Sequence, residues 1–242
     1  MRRTFLILFL IIILAAALRF FRLDRVPSGF IPEEASTAWN SYSLAKTGKD
    51  EWNKFLPVIF SETGGFKLAL NSYLMVPLMQ IFGLNEFSAR APTAFAGVLV
   101  VYLAYFLCFE LFKRKDIALA ASFLLAISPW HIAMSRYGID VNWGIPLFLA
   151  GLLFFIKSGK KPKEIIIAGI FFALTYYTYF NYVVFTFIFI LLLIYLRRNF
   201  FFSKSGYKIL LLFIFIQVLF LLPYLSQKNL TVRFSQATSV GT

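Results

Sequence analysis

Two adjacent glutamates, Glu33 and Glu34, stand in the stretch Gly29-Phe30-Ile31-Pro32-Glu33-Glu34-Ala35, shortly after the first apolar run of the chain. A carboxylate at the rim of a helical bundle, partly stripped of water, becomes a stronger base because desolvation disfavours its charged form. Two acids in the first turn of a helix also complement its dipole without doing any chemistry. Arg136 and Asp140 follow in Ser135-Arg136-Tyr137-Gly138-Ile139-Asp140. In one reading Asp140 shares a cavity with Glu33, and Arg136 orients a carboxylate or an anionic substrate. In the other they are a surface ion pair four residues apart. Lys67 and Arg90 are either clamps for a lipid-linked phosphate or cations snorkelling from apolar stretches. His131, in Ser128-Pro129-Trp130-His131, and Tyr179, in the aromatic cluster 176–182, either line the same cavity or anchor the membrane interface.

Composition narrows what can position these groups. Sixty per cent of the 242 residues are hydrophobic and only 14% are charged, with a mean hydropathy of +0.77. A soluble domain cannot hide that much apolar surface, whereas runs of about 20 such residues suit a bilayer. The net charge of +13 does not mark a nucleic-acid partner, because the basic residues fall between apolar runs rather than on one aromatic-interleaved face. They read as topology signals and contacts to the lipid bilayer. Cys108 is the lone cysteine and His131 the lone histidine, so neither an internal disulfide nor a histidine-cluster metal site is expected. No metal or other cofactor is expected.

The hydropathy pattern predicts an all-α, polytopic membrane bundle in a single domain, 1–242. Seven spans are expected at 5–20, 92–112, 117–134, 143–156, 165–179, 182–196 and 207–225. The first, behind Arg2 and Arg3, has the form of a signal peptide, but further spans follow and it reads as an uncleaved helix. Basic loops at Arg2–Arg3, Lys113–Lys115, 157–163 and 197–208 alternate with connections poor in Lys and Arg. The positive-inside rule then sets the N-terminus in the cytoplasm, with the loop 22–91 and the tail 227–242 outside the inner membrane. Within that loop, Pro32, Glu33, Glu34, Lys46 and Gly48 predict a helix over 32–47. Ala35, Ala38, Trp39 and Tyr42 would turn one face to the membrane surface. A second interfacial helix is expected over 66–82, where Asn71, Ser72, Pro77 and Gln80 argue against a full crossing.

This order of features resembles the GT-C class of polytopic glycosyltransferases, in the branch of protein O-mannosyltransferases and bacterial aminoarabinose transferases. The resemblance rests on Glu33-Glu34 after 29–32, Lys67 at the head of the second surface helix, and Ser88-Ala89-Arg90-Ala91-Pro92. Ser128-Pro129-Trp130-His131 and Ser135-Arg136 with Asp140 complete it. It implies transfer of a sugar from a polyprenyl-phosphate carrier to an acceptor hydroxyl of a glycan, lipid or protein, with inversion, on the extracytoplasmic face. The base role falls on Glu33, with Glu34 and Asp140 as further catalytic acids. Lys67 and Arg136 would meet the donor phosphate, and His131, Arg90 and Tyr179 would line the cavity.

The chain departs from that pattern in three ways. Glutamate stands where the family usually has aspartate, Lys67 is followed by Leu68-Ala69 rather than prolines, and the chain is shorter than family members, as if it were their N-terminal module. Two other functions compete: a non-catalytic module that binds a lipid carrier beside a partner chain, and a transporter. Transporters keep ionisable groups near mid-membrane and often show inverted repeats; neither is seen in this sequence.

Overall fold

The computed structural model describes residues 2–62, 65–159, 161, 163–203 and 206–225. The predicted tail 227–242 lies outside the described residues. The elements in chain order are α1 (Arg2–Phe20), α2 (Pro32–Thr47), β1 (Ile59–Glu62), β2 (Gly65–Leu68), α3 (Leu70–Phe82), α4 (Glu86–Phe112), α5 (Lys115–Ile127) and α6 (Pro129–Ser135). A 3-10 turn (Asp140–Trp143) then leads into α7 (Gly144–Lys157), α8 (Glu164–Thr175), α9 (Phe180–Leu196), α10 (Arg198–Phe201) and α11 (Gly206–Leu225).

The fold is mostly helical and membrane-type, but seven full spans are not confirmed. Four helices are long and apolar enough to cross a bilayer: Arg2–Phe20, Glu86–Phe112, Asp140–Lys157 and Gly206–Tyr224. A fifth exists if α5 and α6 count together, although they are bent by 61°. The bend falls at Ser128-Pro129, where proline cannot donate to the preceding turn. α8 has 12 residues and α9 has 17. At 1.5 Å per residue α8 reaches about 18 Å, well short of a hydrocarbon core of about 30 Å.

The all-α reading is corrected by a small antiparallel hairpin. β1 pairs with β2 in the register Ile59↔Leu68 and Phe60↔Lys67. Its apolar side, Ile59, Phe66 and Leu68, is buried with Tyr176, Ile216 and Tyr224. The strand takes the first residues of the expected 66–82 helix, so α3 begins only at Leu70.

α2 forms as its sequence dictates. Pro32 opens it, Glu33 and Glu34 occupy the first turn, and Gly48 closes it at φ 70° with its N–H on the Leu44 carbonyl. Its placement differs from expectation. Ala38 is buried against Met75, Met79 and Ala89 of the protein, while Trp39 points outward. The buried Thr37, Asn40 and Ser41 of α2 satisfy polar groups on the preceding turn, and Ser41 also meets Met75 of α3. α4 begins six residues before the predicted span. Asn85 and Ser88 form a reciprocal capping box, and the added turns carry Arg90 beyond the length that a bilayer requires.

Close helix packing rests on small residues. A Cβ on Gly151 would lie 2.7 Å from the Phe172 ring, and one on Gly97 would lie 2.5 Å from Ser135 Cβ. One core joins Phe155, Ile165, Phe172 and Phe213; another joins Ile11, Ala15, Val101 and Ala126.

Candidate functional site

A cavity of about 370 Å³ opens where the first loop meets the helix ends. Its wall contains Glu33 from the first turn of α2, Lys67 from β2, Asp140 from the 3-10 turn, and Thr178 and Tyr179 just before α9. Four sequence-selected residues, far apart in the chain, therefore meet. The Glu33 side chain is exposed, whereas Lys67 and Asp140 are buried. The Lys67 ammonium donates to the Glu33 carbonyl at 3.1 Å, which ties the hairpin to the start of α2. Two carboxylates and one ammonium around a space of this size can accept a proton and steady an anion.

Glu34, next in sequence, faces the other way. Its carboxylate is fully buried and pairs in two places with Arg90: Nε to Oε1 at 2.8 Å and Nη2 to Oε2 at 3.0 Å. Oε1 also accepts the Gly138 N–H at 2.8 Å, and the Gly138 carbonyl accepts from Asn71 Nδ2 at 3.0 Å. Both backbone groups of Gly138 are thus held by side chains of α2 and α3. A Cβ there would sit 2.7 Å from the Ala89 carbonyl oxygen, so glycine is required for the loop to approach α4. Arg90 spends its remaining donors on the carbonyls of Leu23, Pro27 and Gly29, the last at 2.5 Å. Glu33 and Asp140 are each within two residues of this network.

Arg136 lies away from the cavity. Its guanidinium donates to the carbonyls of Leu18, Arg19, Phe21, Arg22 and Val26, closing the open end of α1. Burial, and then the neighbouring Arg90 charge, lower the Arg136 pKa from its ordinary value. It borders a separate apolar space of about 670 Å³ with Leu18, Val26 and Ile132. His131 is elsewhere again. Its Nδ1 is 2.7 Å from Arg19 Nη2. A guanidinium can only donate, so Nδ1 accepts. Arg19 is fully buried and also donates to the carbonyls of Ala126 and Leu125 in the last turn of α5, where it breaks into α6.

Sequence reasoning assigned all eight of these residues to one site, whereas the structure gathers Glu33, Lys67, Asp140 and Tyr179 at the cavity, sets Glu34 and Arg90 beside it, and holds Arg136 and His131 apart from it. It passed over Arg19, which was visible as a charge closing an apolar run, and it treated Asn71 only as a polar residue unsuited to a span. Among the described residues, no three of His, Cys, Asp and Glu converge as a metal-ligand set.

A family model described as dolichyl-phosphate-mannose-protein mannosyltransferase matches residues 69–224, well over half of the chain. The chain belongs to this family of membrane glycosyltransferases. The matched stretch contains Arg90, His131, Arg136, Asp140 and Tyr179 and begins just after Lys67, so the glutamate pair lies before it. No curated protein matches the chain.

Proposed function

From that membership and the shared cavity, we propose that the chain moves a sugar from a polyprenyl-phosphate carrier to an acceptor hydroxyl, and that the cavity walled by Glu33, Lys67, Asp140 and Tyr179 is where transfer occurs. The acceptor oxygen attacks the anomeric carbon, and its proton passes to the Glu33 carboxylate. The bond from the anomeric carbon to the carrier phosphate breaks on the opposite face, with inversion, and the polyprenyl phosphate leaves. Negative charge grows on that phosphate, and the Lys67 ammonium stabilises it more in the transition state than in the ground state. Asp140 and Tyr179 position the acceptor and sugar hydroxyls. Arg136 and Arg90 have their donors engaged with the backbone and the Glu34 carboxylate, so they are assigned to the frame rather than to the phosphate.

The cavity opens on the extracytoplasmic side in this reading, with the N-terminus in the cytoplasm. The direction of the helices supports it. α4 runs from the loop end at Glu86 to Lys113, α7 from the Asp140 turn to Lys157, and α8 from Lys163 and Glu164 toward Thr178. In each case the basic end lies away from the cavity, as the positive-inside rule requires.

The single observation that carries the proposal is the convergence of Glu33, Lys67 and Asp140 from three separate segments on one cavity. The test is Glu33→Gln in the chain reconstituted with a polyprenyl-phosphate-linked sugar. Transfer is expected to be lost while expression and melting are retained; undiminished transfer would remove Glu33 as the base. A wild-type chain that binds the donor but transfers nothing would instead favour the lipid-carrier-binding module.

A further inference from the structure

Residues 49–58 form a pinned finger that the proposed transfer does not use. Lys49 and Phe55 close its base as an antiparallel bridge, and the Leu56 N–H donates to the Gly48 carbonyl at 2.9 Å. Inside it, the buried Asp50 carboxylate accepts the Trp52 and Lys54 N–H groups at 2.9 and 2.8 Å. Asn40 holds it to α2 by accepting the Glu51 N–H at 3.1 Å. The Trp52 indole N–H donates to the Ser61 carbonyl at 3.0 Å, tying the finger to β1.

A loop fastened at this many points has a defined shape, yet it turns large apolar side chains outward. Trp52, Phe55, Leu56 and Val58 are 48 to 69% exposed. Adjacent exposed apolar residues on an ordered loop mark a surface that is covered in use. Position identifies the cover. Val58 and Tyr73 share an open apolar groove of about 420 Å³ with Leu219 and Phe220 of α11. α11 is long and apolar enough to cross a membrane, and Leu219 is an outward residue on it. Through Val58 the finger therefore meets the outer face of a candidate span. Lys46, Lys49 and Lys54 are exposed around it. Tryptophan beside long-stemmed cations is the pairing that settles at a bilayer interface, rings in the headgroup region and ammonium groups on phosphates.

We propose that the 49–58 finger is inserted into the bilayer beside α11, with Trp52, Phe55 and Leu56 at the headgroup–acyl boundary and the flanking lysines on phospholipid phosphates. This is independent of the transfer reaction and holds even if Glu33 is not a base. The test uses the whole chain in vesicles of phosphatidylcholine and phosphatidylglycerol at about 3:1. In a Cys108→Ser background, a fluorophore sensitive to polarity is attached at Phe55→Cys, at Val218→Cys on the outer face of α11, and at Arg114→Cys in a basic loop. Quenching by lipids spin-labelled on the acyl chain, and by aqueous iodide, is then compared. The position-55 probe is expected to follow position 218, with strong lipid quenching and little iodide quenching. A probe at 55 that behaves like the one at 114 overturns the proposal and leaves the patch to a protein partner. Trp52→Cys repeats the measurement where Phe55→Cys does not fold. Lys49→Glu with Lys54→Glu should weaken lipid quenching in the anionic vesicles; unchanged quenching removes the lysines from the contact.

Discussion

Neighbouring glutamates should fail in opposite ways. Glu34 is fully buried, and each of its oxygens already has a charged or backbone donor: Oε1 has Arg90 Nε and the Gly138 N–H, and Oε2 has Arg90 Nη2. In Glu34→Gln an amide N–H₂ must occupy one of those oxygen positions, so whichever way it turns one donor faces another. Arg90 also keeps its charge with no buried anion opposite. Breaking a buried pair from one side costs about 3–5 kcal/mol. At about 2–4 °C per kcal/mol for a chain of this size, the melting midpoint in detergent should fall by about 10 °C. Glu33 has an exposed side chain, so Glu33→Gln should change stability by less than about 0.5 kcal/mol while abolishing transfer. The assay is a thermal melt of both purified variants beside a transfer measurement. A Glu34→Gln chain that melts with the wild type would refute the reasoning, because the Arg90 network would then not be what holds α2 to the 136–140 loop.

Variants at three further positions probe separate parts of the arrangement. Lys67→Met keeps length and apolar volume but removes the ammonium; transfer should fall about a hundredfold by analogy with the loss of one oxyanion donor, with about 1–2 kcal/mol of stability lost along with its bond to the Glu33 carbonyl, and near-normal turnover would take Lys67 off the phosphate. Gly138→Ala drives a methyl to 2.7 Å from the Ala89 carbonyl oxygen; about 2 kcal/mol of stability should be lost, read by melting, and transfer should drop with it as Asp140 shifts. His131→Phe leaves a buried Arg19 N–H without its acceptor and should cost about 1–3 kcal/mol, whereas His131→Asn, whose carbonyl oxygen reaches the place of Nδ1, should restore most of it; equal melting of the two would show that the Arg19 contact contributes nothing.

The membrane class and the ends of α2 were legible because each has a local physical signal: long apolar runs, a proline and acids at one helix end, a glycine at the other. The convergence of Glu33, Lys67 and Asp140 was legible from the residues only as one of two readings, which the resemblance then favoured, since no periodicity links positions 33, 67 and 140. The hairpin was not legible. Its strands have four residues each, too few to show an alternating pattern, and they are held by packing on α8 and α11 residues more than a hundred positions away. The break between α5 and α6 was also hidden. In a window that is apolar on all sides, hydropathy reports that a helix is buried in something but not where its axis turns, and Ser128-Pro129 was read as a motif rather than as a hinge.

The same concealment explains why charged residues near the helix ends invite a chemical role. Irregular backbone within a membrane protein releases carbonyls that lipid cannot satisfy. Arg19 meets those at the α5–α6 break, Arg136 those at the end of α1, and Arg90 those of the loop from Leu23 to Gly29. Each uses the several donors of a guanidinium, which no other side chain offers in one rigid group. Had these arginines been lysines, three donors on a flexible stem could not have served four or five acceptors at fixed positions. Lys67 differs in having a single compact charge on the wall of the cavity itself. The division between guanidinium for the frame and ammonium for the cavity follows from donor geometry, and it is the reason to assign a leaving phosphate to Lys67 while leaving the three arginines to hold its surroundings in place.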